Sequence, residues 1–244
     1  IGDGNFDIEV GVDPDYEALE MKVGSYINAE GKVVRDAADA VGIVFKMEAI
    51  GSDVPANYPV ALQSKTIVGY AVAIENVAAG RQVLNNAAMS SLVTTDATVT
   101  NGTQATETLL TGIGEVAFMT TYNSWVNEHP LDGESLSSWY IPTVDQLGEF
   151  MGMLFKIGEV EPTGGQAFRE MPEFAFENGV MFDRDPIESV YYASCTVNGS
   201  KDISGVIINV DKTTKQVLDA KASSLKVTGS SQKALCRPMI TIFK

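Results

Sequence analysis

The apolar and polar positions of this chain change rhythm as they run from one end to the other. Two early runs, Val41 to Met47 (VGIVFKM) and Thr66 to Ile74 (TIVGYAVAI), are apolar almost without interruption, which predicts central strands. Before them, VGSYINAEGKVV predicts a hairpin, with Tyr26 and Ile27 on one arm, Val33 and Val34 on the other, and Asn28 to Gly31 at the turn. Gly51 to Asn57 reads as a polar loop and Tyr58 to Leu62 as strand. From Asn101 to Glu128 the spacing becomes helical. Thr103 with Glu107 opens this stretch, Leu109, Leu110 and Ile113 supply its apolar positions, and Gly112 and Gly114 break it. A second helix follows from about Glu115 to Asn127, with Val116, Met119, Asn123 and Val126 in one row and Phe118, Tyr122 and Trp125 beside it. The last third alternates short β-prone runs (Val190 to Val197, Gly205 to Val210, Gln216 to Leu218, Ala234 to Phe243) with the turns VNGSKD, DKTTK and VTGSSQ. That spacing predicts an antiparallel meander.

The stretch from Ser138 to Phe155, SWYIPTVDQLGEFMGMLF, joins the two rhythms. Trp139, Tyr140 and Ile141 are β-prone, and Pro142 ends them. Thr143 and Gln146 have capping-box spacing, in which each side chain bonds the other's backbone N–H. Val144, Leu147, Phe150, Met151 and Leu154 then recur at intervals of three and four, one apolar stripe on a helix of about three turns. The predicted class is α+β: an antiparallel sheet with two or three helices in one domain over residues 21–244. Residues 1–20 form an N-terminal arm or tether. Gly80 to Asn101 is expected to wrap the surface, with a helical turn near Val83 to Met89, and Gly158 to Asn178 is a long irregular segment of the kind that often carries function.

Charge narrows the partners. The net charge of −15 opposes nucleic acid and anionic lipid, and is compatible with cationic ligands or neutral ones such as sugars. No apolar run approaches the roughly 20 residues of a membrane helix. No signal peptide is visible, and the abrupt start at Ile1 suggests a trimmed or mature form. Cys195 and Cys236 each lie in a β-like run. They form a disulfide if those runs are neighbours, or else are two small buried apolar residues.

Candidate chemistry is sparse. His129 is the only histidine, so a Ser-His-Asp or Cys-His site would need it, but in NEHPLDGES it reads as a solvated loop residue. No glycine-rich phosphate loop follows a strand. Asp183, Asp185 and Glu188 offer hard oxygen ligands for calcium without EF-hand spacing, and a solvated acidic turn is the plainer reading. Glu159, Glu161, Glu170 and Glu173 give the long segment an acidic cast, with nothing to fix a general acid/base pair. Phe168, Arg169, Phe174 and Phe176, with Tyr191 and Tyr192 in the adjacent strand, mix rings and polar groups as sugar-binding surfaces do, against a core-packing alternative for each. Trp125 and Trp139 sit on periodic apolar faces and read as core.

Five stretches in order, GIVFKM from Gly42, NGTQA from Asn101, WYIPTVDQL from Trp139, YYASCT from Tyr191 and CRPMITI from Cys236, resemble a bacterial C-type-lectin-like family. Its relatives include the C-terminal domain of the collagen-like adhesin Lcl and other surface lipoproteins, and the formylglycine-generating enzymes are related only in fold. The chain departs from the family at Tyr192-Ala193, where Trp-Ser is usual, and at Cys195, which replaces a serine. It lacks the Trp-Asn-Asp triplet of calcium-dependent sugar binding. The resemblance implies a C-type-lectin-like fold without that chemistry. It further implies an exported, non-enzymatic, adhesin-like surface protein that needs no cofactor and binds a glycan or protein ligand through the long segment. Such a protein would sit at the extracellular face of the outer membrane or in the periplasm, with any lipid anchor upstream of residue 1. The alternative is a structural subunit or stalk component of a fimbria-like assembly.

Overall fold

The computed structural model describes residues 19–77, 101–112, 117–155, 180–184, 187–197, 203–211, 213, 217–225 and 235–244. The fold is mixed α+β. Strands β1 (Tyr26–Ile27), β2 (Val33–Val34), β3 (Gly42–Lys46), β4 (Ile67–Ala73) and β9 (Met239–Phe243) form one antiparallel sheet in the order β2-β1-β3-β4-β9. Strands β5 (Val180–Arg184), β6 (Ile187–Val197), β7 (Ile203–Asp211) and β8 (Val217–Leu225) form a second, in sequence order. The helices are α1 (Val60–Gln63), α2 (Gly102–Gly112), α3 (Ala117–Glu128) and α4 (Val144–Phe155).

The unbroken apolar character of β3 and β4 has a direct cause. Successive side chains on a strand point to opposite faces, and both faces of this sheet are covered. Val44, Ala71, Ile240 and Ile242 pack on one face with Tyr122 and Trp125 of α3, Trp139 and Ile141. Ile43, Phe45, Tyr70, Val72, Met239 and Phe243 pack on the other with Leu147 and Phe150 of α4. An antiparallel sheet open to water on one side would alternate; this one does not. The two sheets are linked near the chain's end, where Cys236 bridges Val77 and Leu235 bridges Tyr192 of β6.

The hairpin forms as its turn residues require. The Asn28 side chain accepts the backbone N–H groups of Glu30 and Lys32, and Gly31 takes the left-handed φ of +78° that a β-carbon would strain. The Thr143–Gln146 capping box is also formed. Gln146 Oε1 accepts the Thr143 N–H at 3.0 Å and Thr143 Oγ1 accepts the Gln146 N–H at 3.2 Å. Helix α2 starts tightly against this corner: a β-carbon on Gly102 would come within 2.7 Å of Gln146 Oε1 and the Ile141 carbonyl.

Two expectations are corrected. Tyr58 to Leu62 is not strand: Pro59 precedes the short helix α1, and the Leu62 N–H returns to the Pro59 carbonyl at 2.8 Å. Helix α2 is capped by Asn101, whose Oδ1 accepts the Gln104 N–H, and not by Thr103, whose buried hydroxyl makes no hydrogen bond. The chain just past Asn178 forms strand β5, a signal too short to read from its pattern. The arm at 1–18, the surface stretch at 78–100 and the segment 156–179 lie outside the described residues.

Because Gln146 is fully buried and also donates to the Tyr140 hydroxyl, Gln146→Ala removes the cap, one phenol's donor and packed volume together. Urea denaturation is expected to show a loss of about 2–4 kcal/mol, against about 1 kcal/mol for Thr143→Ala.

Candidate functional site

The densest polar constellation among the described residues is centred on Asp53, which is 3% exposed. Its Oδ2 accepts the hydroxyls of Tyr58 at 2.5 Å and Tyr70 at 2.7 Å, and its Oδ1 accepts the amides of Asn101 at 3.0 Å and Asn57 at 3.4 Å. The donors come from the β3–β4 connection, from β4 and from the cap of α2. A carboxylate this far from water needs that many donors.

Proton counting fixes the direction of the bonds beyond it. Tyr58 gives its one hydroxyl proton to Asp53, so in its 2.8 Å contact with Thr241 the threonine donates. Thr241 then accepts from Tyr140 at 3.0 Å, and Tyr140 accepts the Gln146 amide at 3.1 Å. The result is one directed chain: Gln146 to Tyr140 to Thr241 to Tyr58 to Asp53. Tyr70 follows the same rule, donating to Asp53 while accepting the Ile50 N–H at 3.2 Å. Burial pushes the phenols of Tyr58, Tyr70 and Tyr140 well above the ordinary range, and the Asp53 carboxylate adds to this at each. They remain donors at any physiological pH. Asp53, Tyr58, Tyr70, Tyr140, Thr241, Gln146 and Asn101 are all buried, and their bonds to one another hold structure together.

A second cluster sits at the end of α3 and is partly open. The rings of Trp125 and His129 stack with centroids 4.2 Å apart and 16° between planes, and Trp139 meets Trp125 edge-on at 5.2 Å. Glu75 Oε1 accepts the Trp125 Nε1–H at 3.1 Å and lies 2.9 Å from His129 Nε2. His129 Nδ1 lies 2.7 Å from the Trp125 carbonyl, and Trp139 Nε1–H donates to the His129 carbonyl at 2.8 Å. Both imidazole nitrogens therefore face oxygen acceptors. The expectation of a solvated loop histidine is corrected: the stack on Trp125 and the Glu75 contact leave its side chain only 29% exposed. The i,i+4 spacing of Trp125 and His129 was the available signal; Glu75, distant in sequence, had none.

The residues singled out by sequence part company. Tyr191 and Tyr192 are 0% and 1% exposed, so neither ring is open to a sugar; Tyr191 packs in one apolar cluster and Tyr192 in the other. Phe168, Arg169, Phe174 and Phe176 lie outside the described residues, as do Glu159, Glu161, Glu170, Glu173 and Asp185. The backbone register sets Asp183 opposite Glu188 across the β5–β6 pair. Trp125 and Trp139 are core, as expected, at 6% and 5% exposure.

Cys195 and Cys236 are both buried thiols. The Ala193 N–H bonds the Leu235 carbonyl within a parallel bridge of Tyr192 to Leu235. One step along that pairing sets Cys236 beside Ala193, leaving Cys195 two residues out of register. Such diagonal neighbours stand about 7–8 Å apart, at or beyond the reach of a disulfide.

Two outcomes test these arrangements. Asp53→Asn keeps the shape but presents an N–H₂ either to the Asn101 amide or to phenols whose lone pairs already accept Ile50 and Thr241. A loss of about 1–3 kcal/mol in denaturant unfolding is expected, with Tyr70→Phe near 1 kcal/mol. The second concerns alkali. Burial pushes the Cys195 thiol up from 9.0 to about 12 and raises Cys236, with the Cys195 charge adding to the latter. Below pH 9 both states hold these protons and stability is unaffected; above it the unfolded chain ionises first. Stability should therefore fall from pH 9 towards 12, by up to about 1.4 kcal/mol per pH unit for each such group, and the fall should be shallower in the Cys195→Ala, Cys236→Ala double variant. Compared with known proteins, the chain matches no family model, no curated protein and no solved structure.

Proposed function

We propose that this chain is a non-enzymatic, exported binding module of C-type-lectin-like architecture that recognises a glycan or protein ligand through the segment at 156–179. One observation carries the reading. The residues best suited to nucleophilic or acid–base chemistry are built into the packing: both His129 nitrogens face oxygen acceptors, and both thiols are buried with raised pKa values. Loops on a rigid frame are where recognition commonly resides. Helix α4, which leads into it, is anchored at its start by the capping box and by Tyr140. The sequence of the segment supplies Phe168, Arg169, Phe174 and Phe176, rings and a fork of donors suited to sugar faces and hydroxyls. Export and surface location belong to the same proposal and rest on the five ordered motifs.

The test is a glycan array and a panel of extracellular-matrix proteins, probed with the intact chain and with a Phe168→Ala, Arg169→Ala, Phe174→Ala, Phe176→Ala variant. Binding by the parent, lost in the variant at an unchanged melting temperature, is the expected result. No binding above background, or equal binding by both, overturns the proposal.

A further inference from the structure

The connection from β3 to β4 is built differently on its two sides. Its inner side chains, Ile50, Asp53, Tyr58 and Leu62, are buried, and the Asp53 bonds to Tyr58, Tyr70 and Asn101 fasten it to the sheet and to α2. Its exposed positions between Val54 and Ala61 are apolar. Val60 is 81% exposed, Val54 46% and Met47 39%, three of the four large apolar side chains reported as exposed among the described residues. Ala56, Pro59 and Ala61 lie exposed between them. Single exposed apolar residues are ordinary, but Val54, Ala56, Pro59, Val60 and Ala61 are exposed within one run of eight residues, and exposed apolar residues gathered together mark an interaction surface. The rigid underside matters as well: a loop already held in place loses little conformational entropy when it binds.

Charge selects the occupant. Residues 47–64 contain no lysine or arginine, and their exposed charge is Glu48. At the edge of the patch Lys46 is shared between Glu48 and Glu149 at 3.1 Å each, so two carboxylates face one ammonium. Lys65, the next cation along the chain, gives its amine to the Glu134 carbonyl at 2.7 Å. The whole chain carries −15. An anionic membrane surface is repelled by this field, and a second copy brings the same negative edge.

We propose that the outward apolar face of residues 47–61 is a protein-docking surface for a partner that is apolar at its centre and basic at its rim. The proposal stands whether or not the segment at 156–179 binds a ligand.

A direct probe is an amphipathic helical peptide of leucine and lysine, with its leucine–glutamate counterpart and vesicles of phosphatidylcholine or phosphatidylglycerol as controls. The intact chain should bind the lysine peptide, with amide NMR shifts confined to residues around Val54 and Val60. The Val54→Ser, Val60→Ser double variant should bind at least about tenfold more weakly at an unchanged melting temperature, since each loses the burial of a valine. Glu48→Lys should weaken binding and flatten its salt dependence. The proposal is overturned if the lysine peptide does not bind, if the double variant binds as the parent does, or if the glutamate peptide binds equally well. It is likewise overturned if the vesicles capture the chain in preference to the peptide, or if sedimentation shows self-association that the double variant abolishes.

Discussion

A single carboxylate, Asp53, sets the terms for much of this fold. An acid held at 3% exposure demands donors, and its four come from three stretches of chain. Meeting that demand brings the β3–β4 connection, strand β4 and the start of α2 to one point. Tyr58 then hands the constraint on through Thr241 and Tyr140 to Gln146, which is itself half of the cap of α4. Each hydroxyl has one proton, so the chain runs in one direction and no member can reverse without orphaning a neighbour. Apolar packing would tolerate many small shifts of α2 and α4 over the sheet; the directed chain does not.

The polar chain lies on the sheet face that α4 covers. Met239, Thr241 and Phe243 alternate with Ile240 and Ile242 along β9, so Thr241 is the one polar residue in an otherwise apolar row facing α4. Its register partner on β4 is Tyr70, the other phenol that reaches Asp53. A one-residue slip of β9 would carry Thr241 to the opposite face and break the chain. Hydrophobic burial supplies most of the driving force here, while the polar chain makes one register much better than its neighbours.

Sequence reading reached the elements whose signals are local. The continuous runs of β3 and β4, the hairpin at Asn28 to Gly31 and the capping box at Thr143 all depend on residues a few positions apart, and all formed. What stayed hidden depends on distant partners. Asp53 reads as an ordinary loop acid until Tyr70 and Asn101 are brought to it. Arg237 reads as a surface cation, yet it is 2% exposed, with its guanidinium donating to Asn76 Oδ1 and to the carbonyls of Ala73 and Ile74. It thereby ties off the end of β4. Tyr191 and Tyr192 show the opposite failure. Adjacent aromatics on a strand point to opposite faces, and both were buried because packing lies on either side of β6, a tertiary fact that two neighbouring tyrosines cannot announce.

The two outward features of the described residues hang on opposite faces of the five-stranded sheet. The Trp125–His129 stack with Glu75 belongs to the core under α3, and the apolar connection at 47–61 belongs to the core under α4. Between them stand β3, β4 and β9, whose registers are held by ladder bonds and by the Asp53 chain. For an event at one feature to alter the other, the sheet would need a second arrangement of comparable energy. The directed hydrogen bonds oppose one, because any shift of β4 against β9 separates Tyr70 from Thr241 and strands a buried proton. The sheet therefore acts as an insulator between its faces, and ligands on the two sides are expected to bind additively, with no coupling beyond the general field of the chain's charge.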